Sequence, residues 1–231
     1  PGHYRVRQFT PAGIITTFAG IGSSVSSGDG GPATAAGLGS IGQVAVDASG
    51  NVYIVDGSFI RKVRPSDGKI ATIAGNDVSG VTADGVVATQ AKMYPQALAI
   101  SAAGDIYYVD SNCVRKIDHA TNLVTTVAGS YGATGSTGDG GPATSARLVS
   151  PYGLALDAVG DLYISDSSTH TIRAVSTSGI IRTIAGTGSA GYDGDGTALS
   201  SRLKWPSGIV VSTSGSVYFA DCNNNRIRVI Y

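Results

Sequence analysis

With 231 residues, 16 basic and 16 acidic side chains and no formal net charge, the chain lacks the basic footprint that nucleic-acid binding needs. Charged residues make up only 14%, against about 25% in an average soluble protein, so Ser, Thr, Asn and backbone groups must supply the polar surface. No apolar run approaches the roughly 18 residues of a membrane span, and the chain opens on Pro1 rather than Met, which reads as processing or as a piece of something longer.

In chain order, the first strand-like run is Tyr4-Arg5-Val6-Arg7-Gln8-Phe9, and a second covers residues 14–19. Four runs of β composition follow in the next stretch. Gln43–Asp47 (strand a) turns through Ala48-Ser49-Gly50 into Val52–Val55 (strand b). Ile60–Val63 (strand c) turns through Ser66-Asp67-Gly68 into Lys69–Ala74 (strand d). Connections a–b, b–c and c–d are short enough for an antiparallel meander. A longer Gly/Ser/Thr-rich segment separates each d from the next a.

This pattern recurs. Strand d closes on Ala-Gly four times, at Gly20, Gly75, Gly129 and Gly186, with spacings of 55, 54 and 57 residues. Strand b closes on Asp56, Asp110, Asp166 and Asp221, with spacings of 54, 56 and 55. Two independent markers with one period define tandem units ending near 75, 129, 186 and 231. Four-stranded meanders at this period predict an all-β chain, a β-propeller of four-stranded antiparallel blades over residues 13–231; a sandwich has no reason to repeat so regularly.

The phase of the repeat leaves one strand over. Residues 4–9 read like the strand c of residues 225–230, so residues 1–12 form an N-terminal segment with its own strand c, and residues 14–18 supply a strand d. The last unit has a, b and c but no d. A ring closed by pairing the N-terminal strand d against the last strand c is one expectation. A part of a larger propeller is another, and pairing of the surplus strand with a neighbouring molecule is a third. The four-unit propeller is the expected form.

The wording of the units resembles the NHL-repeat family of β-propellers. The clearest sentence is Trp205-Pro206-Ser207-Gly208-Ile209-Val210-Val211, then Gly215-Ser216-Val217-Tyr218-Phe219-Ala220-Asp221, then Asn224-Asn225-Arg226-Ile227-Arg228-Val229. Gly28-Asp29-Gly30-Gly31-Pro32-Ala33-Thr34 and Gly138-Asp139-Gly140-Gly141-Pro142-Ala143-Thr144 look like the insertions of long-repeat members. The resemblance implies a propeller and, since such propellers mostly serve as binding platforms and only some are enzymes, leaves function open. Units one and two depart from the pattern: their b–c connections are two residues shorter, so Phe59 and Cys113 stand where unit four has Arg226.

Candidate chemistry falls on repeated carboxylates and guanidinium groups. Asp56, Asp110, Asp166 and Asp221 could ring a ligand, but their recurrence in every unit points to scaffold, each carboxylate holding a turn, an Arg or a backbone N–H. Arg61, Arg115, Arg173 and Arg228, one per strand c, read the same way. Asp29, Asp139, Asp193 and Asp195 sit in Gly-rich, flexible, oxygen-rich loops and are the calcium candidates, against an Asx-turn role. His3, His119 and His170 are too few and too scattered for a His-rich zinc site. Cys113 and Cys222 are read as two partly buried thiols or, given suitable geometry, one disulfide.

The expected function is a non-catalytic binding or assembly module, extracellular or cell-surface. It would contact protein or glycan through its long inter-blade loops and self-associate through its terminal strands, with no nucleic-acid partner, no membrane span and no cofactor beyond calcium. The alternative is a metal-dependent lyase or hydrolase with its site at the propeller axis.

Overall fold

The computed structural model describes residues 3–231. Strands β1 (Val6–Phe9) and β2 (Ile15–Ala19) form a two-stranded sheet. Blade one is β3 (Ile41–Val46), β4 (Val52–Asp56), β5 (Phe59–Val63) and β6 (Ile70–Ala74). Blade two joins β8 (Pro95–Ile100), β9 (Ile106–Asp110), β10 (Cys113–Ile117) and β11 (Leu123–Gly129), with the short β7 (Val86–Val87) added outside β11. Blade three is β12 (Pro151–Leu156), β13 (Leu162–Asp166), β14 (Thr171–Val175) and β15 (Ile181–Ala185). Blade four has three strands, β16 (Pro206–Val211), β17 (Val217–Asp221) and β18 (Arg226–Ile230). All pairings between these strands are antiparallel, and the blades stand in a β-propeller arrangement.

The core lies between blades, not within them. A middle strand such as β9 faces a neighbouring sheet on both sides, so Ile106, Tyr108, Val109 and Asp110 are all buried. One apolar cluster joins Tyr53, Val55 and Ile60 of blade one to Leu98, Ile106 and Tyr108 of blade two. Equivalent clusters join blades two and three around Leu148 and Ile164, and blades three and four around Ile172 and Phe219. Leu38, Ile54 and Ile70 of blade one pack with Val6 and Phe18 of the N-terminal pair. Each fully buried aliphatic side chain contributes about 1.5–3 kcal/mol.

The Ala-Gly marker has a steric cause. The alanines, Ala19, Ala74, Ala128 and Ala185, are buried. The glycines that follow have φ between +78° and +97°, and a Cβ at Gly75 would run into the carbonyl of Ser58 where strand c begins. Only glycine combines that backbone conformation with that approach.

The long inter-blade segment is not a free loop. Gly30 N–H donates to the Ile70 carbonyl at 2.8 Å, Ile70 N–H to the Gly31 carbonyl at 3.0 Å, and Ala33 N–H to the Gly68 carbonyl at 2.9 Å. Gly140, Gly141 and Ala143 repeat this against Ile181 and Gly179. The Gly-Asp-Gly-Gly-Pro-Ala segment therefore runs along the outer strand of the following blade and covers an edge that would otherwise be exposed. A 3-10 turn follows both segments, at Ala33–Ala35 and Ala143–Ser145, and recurs at the corresponding places in the other units, Ala88–Gln90 and Ala198–Ser200.

Closure differs from one expectation. β2 pairs with β1, not with β18, through Arg7↔Thr17, Gln8↔Thr16 and Phe9↔Ile15. Because β1 already occupies the strand c position, β2 forms its ladder locally, and among the described residues β18 pairs with β17 alone. The inner strands pack in sequence, β3 on β8, β8 on β12 and β12 on β16, with no comparable contact from β16 back to β3. A cavity beside β18 is lined by Tyr192, Ile227 and Val229.

Candidate functional site

The closing aspartates are buried at the end of each strand b and fix the start of strand a. Asp56 Oδ1 accepts from Gly39 N–H (2.5 Å), Asp110 Oδ1 from Tyr94 N–H (2.9 Å), and Asp221 Oδ1 from Lys204 N–H (2.7 Å). Asp166 accepts from Val149 and Ser150 N–H groups. Burial pushes the Asp110 carboxyl up to about 6, above the combined pull of Tyr94 N–H and the nearby Arg115. Burial also raises Asp166.

The strand c arginines lie beside them. Arg61, Arg115 and Arg173 are at most 1% exposed, an unusual position for guanidinium groups that is sustainable only with paired charge. Arg61 donates to Asp56 (3.0 Å) and Asp29 (2.5 Å), Arg115 to Asp84 (2.9 Å), and Arg173 to Asp139 (2.5 Å). Arg228 approaches Asp195 (3.4 Å) and Asp221 (3.6 Å).

The calcium candidates are thereby located. Asp29 spends one oxygen on Arg61 and the other on Thr72 N–H, and Asp139 does the same with Arg173 and Thr183 N–H. Burial pushes both carboxyls up, but those hydrogen bonds and the guanidinium charge outweigh it and leave both below the usual range. Asp193 accepts from the backbone N–H and Nε of Arg202. Among the described residues there is no group of three or more His, Cys, Asp or Glu side chains that could hold a metal ion. His170 Nδ1 accepts from Trp205 N–H at 3.3 Å. His119 lies in the turn between β10 and β11, and His3 precedes β1. Cys113 and Cys222 are both free thiols; Cys113 is buried and Cys222 exposed, so the expectation that both are partly buried fails for each.

A different set of residues is presented at the axis. Every inner strand has a register break near its start, between Ile41 and Val44, Pro95 and Leu98, Pro151 and Gly153, and Pro206 and Ile209. Such bulges turn side chains out of the ladder direction. Here they open a cavity of about 590 Å³ where β3, β8, β12 and β16 begin, inside the usual size range of ligand pockets. Tyr94 and Tyr152 line it, 52% and 59% exposed, with Pro95, Gln96 and Gly208 beside them. No charged side chain lines it. The sequence reading missed these residues. Their signal lies in the repeat itself: the position after the first strand a residue is Gly42, Gln96, Tyr152 and Ser207 in the four units, and the position before that residue is Ser40, Tyr94, Ser150 and Trp205, while the surrounding pattern is kept.

Comparison with known proteins completes the picture. Residues 22–83 and 131–191 match the model of the Teneurin NHL domain, and residues 203–230 match that of the NHL repeat. The chain belongs to the NHL-repeat family. As an NHL chain it is similar to teneurin-3 of Danio rerio, 37% identical across 88% of this chain but only 8% of that protein. It therefore spans a small fraction of the curated relatives it matches. Among solved NHL-like folds, a Bacteroides thetaiotaomicron protein of unknown function superposes with a TM-score of 0.74 at 22% identity, over 99% of this chain and 54% of the other. An auxiliary nutrient binding protein of the same organism gives 0.66 at 18% identity, over 98% and 58%. These last two likenesses show the fold.

Proposed function

We propose that this NHL propeller is a non-catalytic binding module, extracellular or at the cell surface, whose ligand face is the axial end where the inner strands begin. The observation that carries this reading is the division of labour in each unit. The repeated Asp and Arg residues are consumed in holding strand starts and stapling loops, whereas Tyr94 and Tyr152 stand half-exposed in a cavity and their rings enter no aromatic or cation–π pair among the described residues. Exposed tyrosines around a preformed hollow are characteristic of binding surfaces. Because the Gly-Asp-Gly segments lie against blade edges, the axial mouth, rather than those parts of the loops, is the contact surface. A binding role is also the one carried by the auxiliary nutrient binding protein of Bacteroides thetaiotaomicron that shares this fold.

The test is retention of the chain on immobilised protein and glycan ligands, compared with a Tyr94→Ala/Tyr152→Ala double variant. Loss of binding with an unchanged melting temperature supports the reading; binding indifferent to both tyrosines contradicts it.

One observation favours a second role in self-assembly. Among the described residues β18 pairs on one side only, Ile227 within it is 73% exposed, and Phe9 on β1 is 80% exposed. Free edges of this kind accept strands from other molecules. Light scattering over a concentration series should show association that Ile227→Lys removes, and a strictly monomeric chain at all concentrations would discard this role.

A further inference from the structure

Resting on the reading of the axial mouth as a ligand face, we propose that its ligand is a neutral saccharide. The first observation is what the cavity lacks. An anionic ligand would need Arg or Lys for charge-assisted hydrogen bonds, and a cationic one would need carboxylates. The lining contains neither, although fully engaged pairs such as Arg61–Asp56 lie buried in the same blade end. Arg5 and Arg7 line an adjoining cavity that shares Ser40, Ile41 and Gly42, but none of the residues around the tyrosines is charged, so the part of the ligand seated between Tyr94 and Tyr152 is uncharged.

The second observation is the kind of surface offered. Tyr94 and Tyr152 expose flat rings, whose faces carry the negative end of the aromatic quadrupole and attract the C–H face of a sugar. Between them stand neutral groups that both donate and accept: the phenol hydroxyls, the Gln96 amide and the Ser40 hydroxyl. A ring compound with an apolar face and a rim of hydroxyls matches that inventory. Gln43 is partly committed, since its Oε1 accepts from Leu98 N–H at 2.6 Å and ties β3 to the neighbouring inner strand β8.

The third observation concerns Gly208. Most cavity-lining glycines have a structural reason to be glycine: Gly57 has φ +61°, a Cβ at Gly42 would press on Val55, and one at Gly153 on the Ser207 carbonyl. Gly208 has neither a positive φ nor any atom within 4 Å of where a Cβ would stand. It is an exposed residue in a strand, where glycine is a poor choice for the fold. Its bareness keeps the mouth open and leaves backbone groups accessible to a ligand.

The experiment is isothermal titration of the whole chain with neutral gluco-, manno- and galacto-configured oligosaccharides, with a heparin fragment as the charged comparison. One of the neutral probes should bind, with an affinity insensitive to salt, and heparin should not. Tyr94→Ala and Tyr152→Ala should each weaken binding by about tenfold, the loss of one ring stacking interaction. Gly208→Phe should block the mouth and abolish binding without lowering the melting temperature, and Tyr131→Ala, on an exposed loop, should leave binding unchanged. If no neutral saccharide binds but a protein ligand does, and is lost in the tyrosine variants, the saccharide proposal is overturned and the ligand face stands. If no ligand of either kind responds to Tyr94, Tyr152 or Gly208, both fall.

Discussion

Asp110 is fully buried, and its Oδ1 accepts from the backbone N–H of Tyr94 at 2.9 Å while its second oxygen has no partner among the described residues. Asp56, by contrast, also receives Arg61 at 3.0 Å. In blade two, Arg115 turns to Thr82 and Asp84 instead. The carboxylate that holds the start of β8, and with it Tyr94 at the axis, is thus the least supported of the four.

A pH dependence follows. The folded chain holds the Asp110 proton up to about pH 6 because burial disfavours the charge, while the unfolded chain releases it near 3.8. Between those values the folded state binds more protons, so this group's contribution is fully present below about pH 4 and is lost as pH rises through about 6. Urea denaturation at pH 4.5 and 7.5 should show greater stability at the lower value, by about 2 kcal/mol. Asp110→Asn, which keeps an oxygen for Tyr94 N–H, should flatten that slope. Asp29 and Asp139 act in the opposite sense, their carboxyls being held low, and their contribution disappears only as pH falls below the usual carboxylate range.

The loop carboxylates should differ in importance although their sequence settings are nearly identical. Arg173 has Asp139 as its one ion-pair partner, whereas Arg61 has both Asp29 and Asp56. Asp139→Ala leaves a buried guanidinium uncompensated, a situation that costs about 3–5 kcal/mol in fully buried pairs and less here, since Asp139 itself is 49% exposed. Asp29→Ala should cost clearly less than Asp139→Ala. Denaturant midpoints of the two variants check the order, and amide exchange at Thr183 should quicken only in Asp139→Ala.

Much of this architecture was legible from the spacing of Ala-Gly and of the closing aspartates, because both are set by local sterics and burial that recur in every blade. The expected strand runs agree with the observed ones to within two residues in blade one: Gln43–Asp47 against Ile41–Val46, and Ile60–Val63 against Phe59–Val63. The pairing of β2 was not legible, since β1 and β18 carry the same strand c wording and nothing local tells β2 which to join. Nor was the capture of Asp29 by Arg61, 32 residues away, which takes a loop read as flexible and lays it along β6. The exposure of Tyr94 and Tyr152 depends on register breaks that composition does not announce.

The two thiols should separate cleanly by reactivity. Cys113 is buried, and burial pushes its thiol up to about 11, so almost no thiolate is present at neutral pH. Cys222 is exposed in the turn between β17 and β18. Iodoacetamide at pH 7.5 should add one label to the native chain, at Cys222, and a second only in denaturant. Rapid double labelling of the native chain would contradict the packing of β10.

The strand d glycines provide the sharpest test of the blade geometry. At Gly75, φ is +97° and an added Cβ would meet the Ser58 carbonyl, backbone that cannot swing aside as a side chain would. Gly75→Ala therefore incurs both left-handed backbone strain and displacement of strand c, together at least about 2 kcal/mol. Gly208→Ala meets open space at negative or extended φ and should be neutral or slightly stabilising, since it removes only unfolded-state freedom. In a chain of this length, 1 kcal/mol corresponds to roughly 2–4 °C, so calorimetry should separate the two variants by at least about 4 °C. Equal melting temperatures would mean that the end of strand d does not approach the start of strand c as closely as the repeat requires.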